Sequence, residues 1–431
     1  MQYPVGDLLE RAYEKTPGLA VERCHIGKDA AAQLGTFAKA RCGATCLVIS
    51  DTHTRPVGDS AIRALRDAGK KVVEHVFDEP HLDAAETLGD NVAQRGADAD
   101  FFVAIGSGTL CDLAKHAGTK LSRPVLLFAT AASMNGYTSG ITAIKVRGLK
   151  RTVPCTPALG VFADPAVVAS APPRMAAAGV ADYLSKCSAG ADWRVAHFLR
   201  DEYYDEQALR FYEGALERVL DTAPQVGEGD AHAIAIAFEA LLLSGLSMLV
   251  AGSSAPASGG EHLISHFIDM KQALYGTPND LHGVQVGVAT VHCLRLWERV
   301  LALEPAAIDA DALVAQQPAD AQVEQWVLED WGETIGAEVF AQWKQKSRPR
   351  DTMRAEIQKF RDNAAAIREA VQRDLLPSHG VERAIQAAGG PTNPEDMNAP
   401  IEVYEKALTR ARYIRNRFTV LDLASELGIK G

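Results

Sequence analysis

Apolar and polar positions follow two rhythms along the chain, and the first gives way to the second near residue 170. In the first stretch, short and nearly continuous apolar runs at 44–50 (ATCLVIS), 71–77 (KVVEHVF), 101–105 (FFVAI) and 125–128 read as strands of a buried parallel sheet. Helical patterns over 60–68 and 83–96 separate them. That spacing indicates an open parallel sheet with right-handed crossovers. Residues 154–173 carry several prolines and the piece GVFADPAVVA, which reads as a boundary between domains. Beyond it the pattern is helical almost to the end, including one helix predicted over 173–191. The expected organisation is an α/β domain over 1–170 and a helical domain over 171–431. A length of 431 residues agrees with two cores rather than one.

One run, 233–251 (AIAIAFEALLLSGLSMLVA), has the length and apolarity of a membrane span. It contains Glu239, Ser244, Gly245 and Ser247 and runs into the small-residue stretch GSSAPASGG. A helix apolar nearly all round also suits the centre of a helical domain, and that reading is preferred, with no membrane span expected. The charged region 316–373 reads as helices with solvated faces.

Hydrophobic residues make up 47% and charged residues 23%, as in an ordinary soluble globular protein. A formal net charge of −11 argues against a nucleic acid or an anionic membrane as the main partner, so an anionic substrate must be held by a local device. The seven cysteines are odd in number and form no CxxC pair, which points to reduced, mostly buried thiols. No secretory signal is evident in MQYPVGDLLERAYEKTPG, so a cytoplasmic location is expected.

Candidate chemistry begins where the third strand stops at glycine. Gly106, Gly108, Thr109, Leu110 and Asp112 lie on a strand-to-helix turn, GSGTLCD. Glycines there let a backbone approach a pyrophosphate, and the following helix start offers free amides and a positive dipole end. The turn is neither GxGxxG nor a P-loop, because Asp112 stands where a last glycine would and no GK[ST] follows. Asp112 is as well explained by countering the helix start. Asp51, at another strand end, is placed to accept from a ribose, although strand ends carry aspartate often. The loop 129–141 (ATAASMNGYTSGI) clusters hydroxyls and an amide, as would a phosphate-reading loop or a plain surface turn. Asp182 and Lys186 share a helix face and suit either an ion pair or a buried carboxylate that wants a cation. His262 and His266, four apart on one helix, and His282, just beyond a Gly-Pro-Asn-Asp turn, have a spacing that would let imidazoles from two helices meet one divalent ion. The same spacing also arises from one core and one exposed histidine.

Taken together, GSGTLCDLAKH, TAASMNGYTS, MAAAGVADYLSKCSAGADW, SGGEHLISHFIDM, LHGVQVGVAT and ARYIRNRFTVLDLASELG resemble the glycerol-1-phosphate dehydrogenases, from about Asp51 to the carboxyl terminus and in family order. That family belongs with the iron-containing alcohol dehydrogenases, glycerol dehydrogenase and 3-dehydroquinate synthase. The resemblance implies a dehydroquinate synthase-like fold, an α/β amino-terminal dinucleotide-binding domain plus an all-α carboxyl-terminal domain, with a divalent ion in the cleft between them. It implies Asp182, His262 and His282 as metal ligands and His266 as a substrate contact, which differs from what the HxxxH spacing suggested. It also implies that Gly106, Gly108, Thr109, Leu110, Asp112, Thr130 and Ser133, helped by Asp51 and Ser139, contact NAD or NADP, and that Asn135 and Asp182 reach the substrate. The metal expected is zinc, with nickel or iron as alternatives.

The implied reaction interconverts dihydroxyacetone phosphate and sn-glycerol 1-phosphate by hydride transfer, with the metal as Lewis acid. Two points qualify it. The family places aspartate where Asn135 stands, which leaves the substrate open to a related polyol or its phosphate. The phosphate partner is unassigned, with Lys145, Lys150 and Arg151 as candidates beside the substrate loop. Arg412, Arg415 and Arg417 read as packing or subunit contacts, and the family suggests at least a homodimer. The alternatives are a glycerol or other polyol dehydrogenase, a 3-dehydroquinate synthase-like cyclase, whose first metal ligand would be glutamate, and a silent nucleotide or metal sensor.

Overall fold

The structure, a computed structural model, describes residues 3–79, 82–146 and 149–429, with the side chains of 149 and 150 outside the described set. Lys150, a candidate phosphate partner, therefore lies outside the described side chains. The chain divides into two compact units, Met1–Tyr183 with Gln207–Ser253 and Ala384–Gly390, and Leu184–Glu206 with Ser254–Arg383 and Pro391–Gly431.

The first unit opens with α1 (Asp7–Lys15), then alternates β1 (Arg23–Ile26), α2 (Ala30–Arg41), β2 (Thr45–Asp51), α3 (Thr54–Val57), α4 (Asp59–Asp67), β3 (Lys71–Phe77), α5 (Glu86–Arg95), β4 (Phe101–Gly106), α6 (Gly108–Leu121) and β5 (Val125–Ala129). A hairpin of β6 (Ile141–Val146) and β7 (Leu149–Pro154) follows, then β8 (Gly160–Ala163), α7 (Pro165–Ala169) and α8 (Pro173–Leu184). The six-stranded sheet has the order β1-β8-β5-β4-β2-β3 and is parallel throughout. Its inner strands β4, β5 and β8 are buried along their whole length, as expected of strands covered on both faces. Val48, Ile62, Leu65, Phe101, Val103, Phe128 and Phe162 belong to one buried cluster beneath α2 and α4.

The piece read as a domain boundary is an inner strand instead. β8 pairs with both β1 and β5, and its four residues are hidden in the sequence because Pro157 and Pro165 bracket them. Asp164 then caps α7, its carboxylate accepting the Ala166 amide at 2.8 Å. The order of strands also creates a switch point. From β2 the chain moves outward to β3, whereas from β4 it moves the other way to β5, so the carboxyl ends of β2 and β4 flank the crevice where open α/β sheets bind ligands. Asp51 ends β2 and Gly106 ends β4.

In this unit lie also α11 (Ala215–Gly227) and α12 (Ala231–Ala251), after α9 (Lys186–Arg200) and the short α10 (Glu206–Leu209). By length and composition α12 passes as a membrane span, yet 89% of its most apolar window is buried within the protein. Its one acidic residue shows why. Glu239 accepts the amides of Leu8 and Leu9 at 2.9 and 3.0 Å, capping the first turn of α1 inside the core.

The second unit is helical. Here α13 (Gly260–Tyr275) and α14 (His282–Leu301) pack together, joined by a turn that leaves α13 through Gly276 in the left-handed region (φ 68°). Buried Asp269 on α13 accepts from Asn279 in the turn and from Gln285 on α14, both at 3.0 Å, and thereby fixes where His282 starts its helix. All seven cysteines are free thiols.

The predicted helix over 173–191 is two helices, because α8 ends at Leu184 and α9 begins at Lys186. Gly179 brings α8 against the loop after β5 so closely that a Cβ there would lie 1.9 Å from the Ala132 carbonyl oxygen. A Gly179→Ala change gains helix propensity of about 1 kcal/mol. The overlap with backbone that cannot swing aside costs more, and overpacking of this kind runs to roughly 1–3 kcal/mol. Urea unfolding is therefore expected to show a lower midpoint for Gly179→Ala, and an unchanged or raised midpoint would contradict the close approach.

Candidate active site

At the end of β4 the chain turns through Ser107 into α6. A Cβ on Gly106 would lie 2.3 Å from Leu110 Cδ1, so glycine is needed for the turn to close, whereas Gly108 has only Met134 atoms nearby, at 3.5 Å and beyond. The first N–H groups of α6, at Gly108, Thr109 and Leu110, have no acceptor within the helix, and Ser107 does not cap them. They form a site of positive potential for an anion. Leu110 is buried, so it offers its backbone rather than its side chain.

Asp112 faces inward. Its Oδ2 accepts the Ala143 amide at 3.0 Å and its Oδ1 lies 3.5 Å from Lys115 Nζ. Lys115, completely buried, donates to the carbonyls of Gly136 (2.8 Å), Ile141 (2.6 Å) and Ser139 (3.4 Å). This pair lashes the loop after β5 to α6. Nothing in the sequence marked Lys115, since a lysine on a helix reads as a solvated charge.

Within that loop, Thr130 is buried and its amide donates to the Gly106 carbonyl at 3.1 Å, which sets it beside the glycine turn. Ser133 lies beside the phenol of Tyr137. The Ser139 hydroxyl is fully buried and turned to the carbonyls of Gly136 and Ile141, both at 3.1 Å. Asp51 Oδ1 accepts the amides of His53 (2.9 Å) and Thr54 (2.7 Å), an Asx turn that starts α3.

Asn135 donates its backbone N–H to Asp182 Oδ2 at 3.1 Å, and its amide nitrogen lies 3.3 Å from Ser244 Oγ. Asp182 is fully buried. One ligand atom each of Asp182, His262 and His282 lies within 4.8 Å of the others. The histidine rings are close as well, with centroids 5.2 Å apart for His262 and His282, 6.2 Å for His262 and His266, and 5.8 Å for His266 and His282.

The Nδ1 atoms of two of these rings are already engaged. His262 Nδ1 meets Glu261 Oε1 at 2.9 Å, and His282 Nδ1 meets Ser265 Oγ at 3.2 Å. Each of the three residues offers one ligand atom to a common point, a ring nitrogen from each histidine and a carboxylate oxygen from Asp182. One oxygen and two nitrogens at this separation suit a divalent cation of borderline softness and leave coordination positions open.

His266 is partly exposed. Burial, the guanidinium of Arg415 and the neighbouring imidazoles of His282 and His262 hold its proton affinity well below the ordinary histidine value, with Asp269 opposing them. It is therefore neutral near pH 7. Arg417 donates to the Ser258 carbonyl and, at 2.9 Å, to Ser254 Oγ, fixing the segment that leads into α13. Arg415 thus stands near His266 and Arg417 at the segment leading into α13, placements that a run of basic residues far along the chain does not announce. Lys145 is paired with Asp83 at 2.6 Å, and Arg151 is exposed.

Comparison with known proteins follows the same lines. A family model described as iron-containing alcohol dehydrogenase matches residues 25–172. The solved structure of an iron-containing alcohol dehydrogenase from Corynebacterium glutamicum superposes with a TM-score of 0.60 at 14% identity, covering 95% of this chain and 97% of that one. The class is therefore the iron-containing alcohol dehydrogenase fold. Among curated relatives, the glycerol-1-phosphate dehydrogenase [NAD(P)+] of Geobacillus stearothermophilus is 26% identical over 421 residues, 95% of this chain and 93% of the relative. That of Bacillus velezensis is 33% identical over 276 residues, 63% of this chain and 70% of the relative. The chain belongs to the glycerol-1-phosphate dehydrogenase family, and is an NAD(P)-dependent, metal-dependent dehydrogenase.

Removing Lys115 would leave the Asp112 carboxylate and three loop carbonyls without their shared cation. Breaking a buried ion pair from one side costs on the order of 3 kcal/mol. Lys115→Met is expected to lower the denaturation midpoint accordingly and to weaken NAD(P)H binding through the displaced Thr130, both measurable by fluorescence. Wild-type values for both would contradict the lashing role.

Proposed function

We propose that this chain interconverts dihydroxyacetone phosphate and sn-glycerol 1-phosphate with NAD or NADP, using a divalent cation held by Asp182, His262 and His282. The reading rests chiefly on the ligand atoms of those three residues lying within 4.8 Å of one another. Zinc is the first candidate for an oxygen and two imidazole nitrogens, with nickel or iron as alternatives. Bound there, a cation supplies a Lewis acid for the substrate oxygens, and the nicotinamide takes up or returns a hydride.

The chain's own residues do the rest. The open amides of α6 hold the pyrophosphate, with the Gly106–Gly108 turn admitting it closely, while Thr130 and Ser133 line its approach and Asp51 offers its second oxygen to the ribose. Asp112 and Ser139, both turned into the loop, act by keeping that loop in place. Asn135, steadied through its backbone at Asp182 and its amide at Ser244, presents the side-chain carbonyl to a substrate hydroxyl. Neutral His266 can accept the proton of that hydroxyl on oxidation and return it on reduction. For the phosphate, Arg415, whose charge is felt at His266, is better supported than Lys145, which already has Asp83. Free thiols and a buried α12 support a cytoplasmic enzyme, and the family supports a dimer or larger homo-oligomer.

Asn135 favours a second reading, a dehydrogenase of a neutral polyol, because an amide both donates and accepts. The two readings separate by assay. NADH or NADPH oxidation with dihydroxyacetone phosphate is expected to be abolished by chelator and restored by Zn²⁺ or Ni²⁺. Unphosphorylated dihydroxyacetone is expected to be poorer in kcat/KM by at least about tenfold, the loss of one charge-assisted contact. Equal efficiency with both ketones would favour the neutral polyol, and turnover indifferent to chelator would overturn the metal reading.

A further inference from the structure

Glu261 lies beside the ligand histidine on the same helix, and neighbours in a helix normally point about 100° apart. Here they meet. The Glu261 side chain is fully buried and folds back over the start of α13, where Oε1 accepts the Gly259 amide at 2.7 Å and faces His262 Nδ1 at 2.9 Å. The space that admits it exists because residue 259 is glycine. A Cβ there would lie 2.9 Å from Glu261 Oε2, 2.5 Å from Asp192 Oδ2 and 3.0 Å from the Ala189 Cα. Asp192 in turn accepts the Gly260 amide at 2.8 Å, the Val420 amide at 2.9 Å and the Trp297 indole N–H at 3.1 Å, so the pocket wall is rigid.

We propose that Glu261 is a positioning residue for the cation: it holds the His262 proton on Nδ1, so that Nε2 presents its lone pair to the Asp182–His282 pair. This rests on the metal reading above and specifies how one ligand is prepared. Hydrogen-bond capacity sets the tautomer. An ionised carboxylate only accepts, so a neutral imidazole facing it must carry its proton on the near nitrogen. The hydroxyl of Ser265 at His282 Nδ1 can either donate or accept and selects no tautomer. Glu261 thus places a fixed acceptor at Nδ1 of His262. Its charge, with that of Asp182, also matches a dication. The competing role is that of a plain cap for α13, since a carboxylate suits a helix start on dipole grounds alone.

Glu261→Gln separates the two, because the amide oxygen can still accept from Gly259 while the charge is gone. Zinc affinity measured by chelator competition is expected to fall 10–100-fold, with the thermal midpoint of the metal-free protein little changed. Wild-type affinity in Glu261→Gln would reduce Glu261 to a cap and overturn the proposal. Should that variant fail to fold, ¹⁵N chemical shifts of the imidazoles in metal-free wild-type protein decide the matter. His262 is expected to be the Nδ1–H tautomer, and an Nε2–H tautomer would overturn the proposal. Failure of the underlying metal reading looks different: wild-type protein would then bind no divalent ion at all.

Discussion

Burying the Asp182 carboxylate is the constraint on which the rest of the site depends. An ionised group taken out of water costs several kcal/mol unless hydrogen bonds and opposite charge compensate it. The Asn135 backbone amide supplies one hydrogen bond, and one ligand atom each of His262 and His282 lies within 4.8 Å of a carboxylate oxygen. Much of the nearby architecture serves that arrangement. Gly179 allows α8 to press against the loop carrying Asn135, Lys115 and Asp112 keep that loop from moving, and Asp269 pins the turn that starts α14 at His282.

A chain with a net charge of −11 has no general field to draw in a dinucleotide or an anionic substrate. Two local features carry positive potential instead. The first amides of α6 lie where the sheet order reverses, and Arg415 places a guanidinium near His266. A divalent cation bound by Asp182, His262 and His282 would add the largest local positive charge of all.

Much of this was legible in the sequence, for reasons that differ by element. β2, β4 and β5 were readable because buried parallel strands are continuous apolar runs, and α13 and α14 because a Gly-Pro-Asn-Asp turn divides two apolar periodicities. β1 was not, since RCHI mixes charge and apolarity, and β8 was obscured by flanking prolines. The break at Ser185 carries no glycine or proline to mark it. At the site, spacing offered His262, His266 and His282 as imidazoles for one ion, and the resemblance set His266 apart as a substrate contact; one ligand atom each of Asp182, His262 and His282 lies within 4.8 Å of the others. Lys115, Ser244, Glu261 and Ser265 stayed hidden because their importance lies in what they face across folded distance, and no local pattern encodes that.

Whether Asp182, His262 and His282 share an ion is tested most directly by the zinc content of purified, folded protein after equilibration with limiting metal, compared with Asp182→Ala, His262→Ala and His282→Ala proteins of matched circular dichroism. One ion per chain in the wild type, lost from each variant along with turnover, is the predicted result. Full occupancy or undiminished turnover in any of the three folded variants would contradict it.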